Sequence, residues 1–303
     1  VPLPPANTEA GAAVRGILLM FVAVSFFACL DTTAKYLART MPSAEIVWLR
    51  YTFHVVLLSL FFRVWRDLSP FRTGRPLMQF VRGLTLLGST FFNFWALRYL
   101  QLAEAAAIMF ASPLVVTALA GPLLGEKVGI RRWAAVVVGF LGVLVVLRPG
   151  TGAMHWAAGL SLVAMTSYAF YSILTRRMHR TETSESLMML AAVVGIALLI
   201  PVAPGAIRDL DGWQWGLAVA MGAFGAIGHY ALVVAHRIAS ASTLAPFIYM
   251  QMLWMVFFGY IVFRDVPDAW TIVGSAIVAG AGLYILHRER IRGQRVAIRD
   301  PHE

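Results

Sequence analysis

Apolar stretches of about twenty residues follow one another from Val14 to Leu286, separated by short segments that carry the arginines. An α-helix of about twenty apolar residues spans the ~30 Å hydrocarbon layer of a bilayer. A soluble domain is nearer a quarter charged, whereas this chain is 13% charged, 59% hydrophobic and has a mean hydropathy of +0.74. Most of its surface must therefore face lipid. Spans are expected at about 14–38, 44–65, 77–99, 103–124, 132–147, 156–176, 184–203, 213–235, 242–263 and 269–287. They are punctuated by Pro42, Ser69-Pro70, Gly125, Pro149-Gly150, Pro204-Gly205 and Pro267.

The basic residues alternate with the spans. With the N-terminus placed inside, the inside segments hold about eighteen Lys and Arg and the outside segments about six. That bias predicts cytoplasmic N- and C-termini, hence an even number of spans, in a multi-pass cytoplasmic (inner) membrane protein. The net charge of +10 is thereby read as topology signal and headgroup anchoring, which argues against nucleic acid as a partner and for membrane lipids. Cys29, alone of its kind, excludes an intrachain disulfide. Residues 1–13 read as a disordered tail, and the first apolar stretch is too long for a cleaved signal.

The two halves align at nearly constant offsets. At an offset of 141, Lys35 meets Arg176 and Arg39 meets Arg180; at 139, Arg98 meets Arg237 and Glu126 meets Asp265. Five spans per half is an odd number, so the copies must lie in opposite orientations. The expected organisation is a first repeat at 14–150, a second, inverted repeat at 151–288 and a basic cytoplasmic tail at 289–303. The fold class expected is an all-α membrane protein of ten transmembrane helices around a central cavity.

Three segments carry a resemblance: ALRYLQLAEAAAIMFASPL (96–114), LLGEKVGIRRW (123–133) and VGFLGVLVVLRPG (138–150). They are similar to the first repeat of EamA-type transporters of the drug/metabolite superfamily. The second repeat is weaker, with Phe263-Arg264-Asp265 where the family has a glycine-glutamate pair. The resemblance covers about residues 14–288. It implies a ten-helix inverted repeat whose cavity is lined by helices one, three, four, six, eight and nine. The members resembled include amino-acid exporters, aromatic and broad-specificity ones among them, and uptake carriers for S-adenosylmethionine or riboflavin.

Polar groups inside a span are energetically expensive and point to function or to interhelical bonding. Asp31 and Arg50 lie at similar depth on adjacent helices and are expected to pair as a gate or structural link, with Lys35 as Asp31's rival partner at i+4. Thr85, Ser89 and Asn93 form one stripe on helix three, bordered by Thr90, that lines a cavity or packs helices. His229 sits mid-span and reads as a structural histidine, a substrate contact or a proton-coupling group. Pro113 and Pro246 interrupt helices four and nine. Phe110, Tyr168, Tyr171, Tyr249, Gln251 and Trp254 complete the expected substrate cavity, where rings with polar tips suit an organic substrate. Trp156, Trp213 and Trp215 read as interfacial anchors, and Met188-Met189 as filler. The glycines of helices five and ten read as close helix contacts, within the chain or between protomers.

No HExxH, GxSxG, paired deep acids or phosphate-binding loop occurs, so neither an enzyme, a metal site, a cofactor nor an ATP-driven pump is expected. The expected function is a secondary transporter exporting small organic metabolites, amino acids foremost, as facilitator or proton-coupled carrier, in a monomer or weak homodimer. The alternatives are an uptake carrier for another metabolite and a channel-like membrane protein.

Overall fold

A computed structural model describes residues 6–124, 129–152, 154–178, 181–208, 210–239 and 241–299. Every regular element among them is helical: α1 (Ala6–Leu37), α2 (Ser43–Phe62), α3 (Pro76–Leu97), α4 (Leu102–Met109), α5 (Ser112–Leu124), α6 (Ile130–Leu147), α7 (Ala158–Met178), α8 (Ser184–Leu198), α9 (Ala203–Arg208), α10 (Gly212–Ile238), α11 (Ala241–Ile248), α12 (Met250–Phe258) and α13 (Ala269–Arg299), with a π-helical turn at Gly259–Phe263. Helix thus extends back to Ala6, into the expected tail, and forward to Arg299. Glu126 and Arg180 of the alignment between the halves, Gly125 and Lys127 of the resembling segment, and the extreme termini lie outside the described residues.

Among the described residues, seven helical stretches are long and apolar enough to cross a membrane, and the bent pair Ser184–Leu198 with Ile200–Ile207 makes an eighth. Two more helices occupy the remaining expected spans. α13 has a shorter apolar part, Ala269–Ile285. α3 has 22 residues but carries Gln79, Arg82, Ser89, Thr90 and Asn93, all facing protein. A polar helix is tolerated at membrane depth when protein rather than lipid surrounds those groups.

The strongest packings join helices of opposite halves: α1 on α10, α3 on α7 and α6 on α13. α2 packs on α10 and on α8, and α3 on α8. This set maps onto itself when the halves are exchanged, since α1/α10 becomes α7/α3 and α2/α10 becomes α8/α3. Glycines set the closest approaches. A Cβ at Gly83 would lie 2.6 Å from Val194 Cβ, and one at the counterpart Gly222 would strike Phe53. Gly142 and Gly274 abut each other's carbonyls across α6 and α13, so the small residues of these two helices serve contacts within the chain.

Helices four and nine are both broken. Pro113 follows the break between α4 and α5, and Pro246 precedes the break between α11 and α12. Proline supplies no N–H and its ring crowds the preceding turn, which accounts for the break ahead of Pro113; the break after Pro246 lies on the other side of its proline. Thr117 donates to the Pro113 carbonyl at 2.8 Å. Phe110 and Tyr249, equivalent at the offset of 139, meet at the breaks with ring centroids 5.4 Å apart.

Candidate functional site

At the centre lies a cavity of about 20 Å³ lined by Arg50, Tyr51, His54, Leu86, Tyr171, Met188, Ala192 and His229. That is room for a water or a small polar group. α2 contributes Arg50, Tyr51 and His54, three residues spaced so that all face inward from one helix side. Of the helices expected to line the cavity, three, six and eight do so through Leu86, Tyr171 and His229, while helix seven adds Met188 and Ala192 and helix two supplies the most polar wall. Arg50, Tyr51 and His54 can reach the centre because the opposing α8 is small there. Gly195 lies against the Tyr51 ring, and Ala192 lines the same cavity.

The polar wall is ordered by Thr90 of α3. Arg50 Nη1 and the Tyr51 hydroxyl both donate to Thr90 Oγ1 at 2.8 Å. The Arg50 guanidinium sits 5.2 Å from the Tyr51 ring centroid and 5.5 Å from that of Phe94. The rings of His54 and His229 meet edge-on at 5.8 Å, and Phe27 packs on His229 from α1. Met188, expected as filler, lies on this wall.

Asp31 and Arg50 do not pair. Asn93 Nδ2 donates to Asp31 Oδ1 at 3.2 Å, while Arg50 turns toward Thr90 and the rings. Antiparallel neighbours placed the two at equal depth, but α3 inserts a donor for the acid and an acceptor for the base. Arg50 stays within electrostatic reach of Asp31. Lys35 does not turn back to Asp31 either; it pairs with Asp265 of the other half at 3.1 Å and donates to the Leu100 carbonyl.

The remaining expected residues divide. Tyr171, His229 and Thr90 belong to the central cluster. Ser89 is buried on α3, and Thr85 donates to the Arg82 carbonyl. Tyr168 sits beside Tyr171, ring centroids 5.9 Å apart, is 38% exposed and does not line the cavity. Tyr249 packs on Gly282 of α13, and its buried hydroxyl has no partner among the described residues. Trp254 stacks among Phe21, Phe257 and Phe258, away from the cavity. Gln251 and Pro113 are partly buried and do not line it. Trp156 and Trp213 are exposed as anchors should be, but Trp215 packs edge-on against Phe53 in the core.

Sequence reasoning counted Arg82 as a topology residue, yet it is fully buried. Its Nε donates to Gln79 Oε1 at 3.1 Å, Nη1 to Thr175 Oγ1 at 3.2 Å and Nη2 to the Leu187 carbonyl. It lies over the Tyr171 ring and ties α3 to α7 and α8. The available signal was its place six residues into a helix that also carries Gln79, one turn before it.

Contacts between the halves join them at both ends of the bundle. At the Lys35 end, Lys35–Asp265 and Arg148–Asp268 (2.7 Å) bridge the halves, and Lys35 and Arg39 lie over the Phe263 ring. At the Arg75 end, the Gly74 amide donates to Glu182 at 3.1 Å and Ser186 Oγ to the Arg72 carbonyl at 2.9 Å. Groups of three or more His, Cys, Asp or Glu that could hold a metal are absent among the described residues.

Comparison with known proteins accords with a two-part membrane bundle. The chain is 28% identical to the S-adenosylmethionine uptake transporter of Rickettsia prowazekii, over 86% of this chain and 88% of that protein. It is 26% identical to the riboflavin transporter of Vibrio cholerae, over 93% and 96%. It is 28% identical to a pseudopaline exporter of Pseudomonas aeruginosa, over 88% and 94%. A solved crystal structure shares the fold with a TM-score of 0.62 at 19% identity, covering 93% of this chain and 99% of its own. These relatives are transporters rather than enzymes, and they are similar to this chain over nearly its whole length. The model of the EamA-like transporter family matches residues 14–148 and again 155–287, one match for each half, and the chain belongs to that family of small-molecule transporters.

Proposed function

We propose that the protein is a secondary transporter of amino acids, aromatic and other neutral ones first, working by alternating access between two inverted five-helix repeats at 14–150 and 151–288. The observation that carries this reading is the central polar cavity, in a bundle whose halves are joined by a different set of contacts at each end. Separate contacts on either side of one site are what alternating exposure requires. The helix contacts map onto themselves when the halves are exchanged, which supports a pseudo-two-fold relation. The direction proposed is export across the cytoplasmic membrane, and the distribution of arginines supports cytoplasmic placement of both termini.

A second reading is uptake of a metabolite such as S-adenosylmethionine or riboflavin. It is supported by relatives of those names at 26–28% identity. Purified protein in liposomes, assayed for flux of labelled amino acids, riboflavin and S-adenosylmethionine, decides between them. Saturable amino-acid flux competed by unlabelled amino acid is expected. Flux of riboflavin or S-adenosylmethionine with none of any amino acid would overturn the first reading. A pH gradient imposed without a substrate gradient separates a proton-coupled carrier from a facilitator.

A further inference from the structure

Arg50 is more than nine-tenths buried and lines the central cavity, yet its Nε has no hydrogen-bond partner among the described residues. Leaving a donor of a buried guanidinium unmade is costly, because charged groups lose most on desolvation. The acid within electrostatic reach, Asp31, is instead bonded to Asn93. Positive fields converge on the same space: those of Arg50 and Arg82 both reach His229, and His54 faces Arg50 and His229. Gly225 of α10 faces this side of Arg50, with Leu30 of α1 closing in beside it. A Cβ there would lie 3.9 Å from Arg50 Nε and 3.3 Å from His54 Nδ1.

We propose that this spot is the seat for a carboxylate of the transported molecule, held by the Nε edge of Arg50 and flanked by His54 and His229. A guanidinium edge offers parallel donors that match the two oxygens of a carboxylate. Thr90 holds Nη1 and so fixes the plane of the guanidinium, leaving the edge that bears Nε for the ligand. The cavity has room for the carboxylate alone, so the remainder of the molecule takes space gained as the halves part. The inference rests on the transport reading for its purpose, and its test is binding rather than flux.

The test uses matched pairs of probes on the purified full chain, read by thermal shift and by isothermal titration: benzoate against benzamide, and L-phenylalanine against L-phenylalaninol. At least one carboxylate is expected to bind about tenfold or more tighter than its neutral twin, the worth of one charge-assisted bond. That preference should fall to within about twofold in Arg50→Gln. Gly225→Ala, which keeps every charge and places a methyl in the seat, should lose the preference as well; it also serves if Arg50→Gln does not fold. Neither pair preferring the carboxylate, or a preference that survives both substitutions, overturns the proposal. Absence of flux for every substrate, with carboxylate preference intact, would overturn the transport reading and leave the seat standing.

Discussion

Arg82 should tolerate loss of its charge better than loss of its shape. Its guanidinium is fully buried, no carboxylate pairs with it among the described residues, and three donors reach Gln79, Thr175 and Leu187. Lysine keeps the charge but offers a compact ammonium on a different stem, which cannot span partners on three helices. Two of the three bonds would be lost, each charge-assisted and worth about 1.5–3 kcal/mol, so Arg82→Lys should destabilise by about 3–6 kcal/mol. Methionine loses all three bonds but also removes a desolvated charge, whose burial opposes folding by several kcal/mol. Its abandoned partners have local substitutes: the Leu187 carbonyl lies within α8, and Gln79 already reaches Ser186 at 3.4 Å.

Arg82→Met should therefore fall within about 2 kcal/mol of the parent. At roughly 2–4 °C per kcal/mol, the Lys variant should melt about 6–24 °C lower and the Met variant within about 8 °C of the parent. The measurement is fluorescence-detected melting of the purified protein in one detergent at fixed pH and salt. A methionine variant as unstable as the lysine variant, or more so, would refute the reasoning, because the charge would then be stabilising in itself.

Breaking the link between halves at the Lys35 end should loosen that end of the bundle. Asp265→Asn and Lys35→Gln are each expected to remove about 1–3 kcal/mol, and the exchange Lys35→Asp with Asp265→Lys should recover part of it; a double-mutant cycle on melting temperature and flux checks this. At Gly222 an added methyl would lie 2.9 Å from the Phe53 carbonyl carbon and 3.0 Å from the His54 amide, so Gly222→Ala should lower stability by about 1–3 kcal/mol. Gly83→Ala should be milder on melting, since it meets a side chain rather than backbone. The amide of Thr271, with Arg148 beside it, holds the Asp268 carboxyl below the usual range. A lowered folded value means that its contribution is present above the unfolded value of about 4 and is lost as pH falls through the folded one. Melting should therefore decline modestly below about pH 4, and less in Asp268→Asn, because the group is largely exposed.

Spans, repeat and family were legible because hydropathy and the offset between halves act over twenty residues or more, where single-residue exceptions average out. Side-chain partners were not. Depth along an ideal helix put Asp31 beside Arg50, but depth says nothing of the third helix between them, and Asn93 and Thr90 of α3 separate the pair. Lys35 found Asp265 because its helix packs on the other half, a contact some 230 residues distant that no local spacing encodes. Tyr249 and Trp254 were chosen for their chemistry, which fits core packing as well as a cavity, and they pack. His54 was readable as a histidine on the face of α2 that also bears Arg50, one helical turn away.

The repeat also explains why a symmetric scaffold has a one-sided site. Gly83 meets Val194 and Gly222 meets Phe53, so α3 and α10 correspond at an offset of 139 and α2 and α8 at 141. On that register the counterparts of Arg50, Tyr51 and His54 are Ala191, Ala192 and Gly195. Each large polar residue of the first half faces a second half whose equivalent position has been reduced to a methyl or less. Two full-sized copies could not both occupy the axis, since Tyr51 already fills the space against Gly195. Arg82 likewise corresponds to Met221, also fully buried. On the alternating-access proposal, exchanging the roles of the halves would move the opening from one end to the other while the guanidinium, the hydroxyl and the imidazole stay with one half. Symmetry supplies the motion, and its local violation at the axis supplies the chemistry.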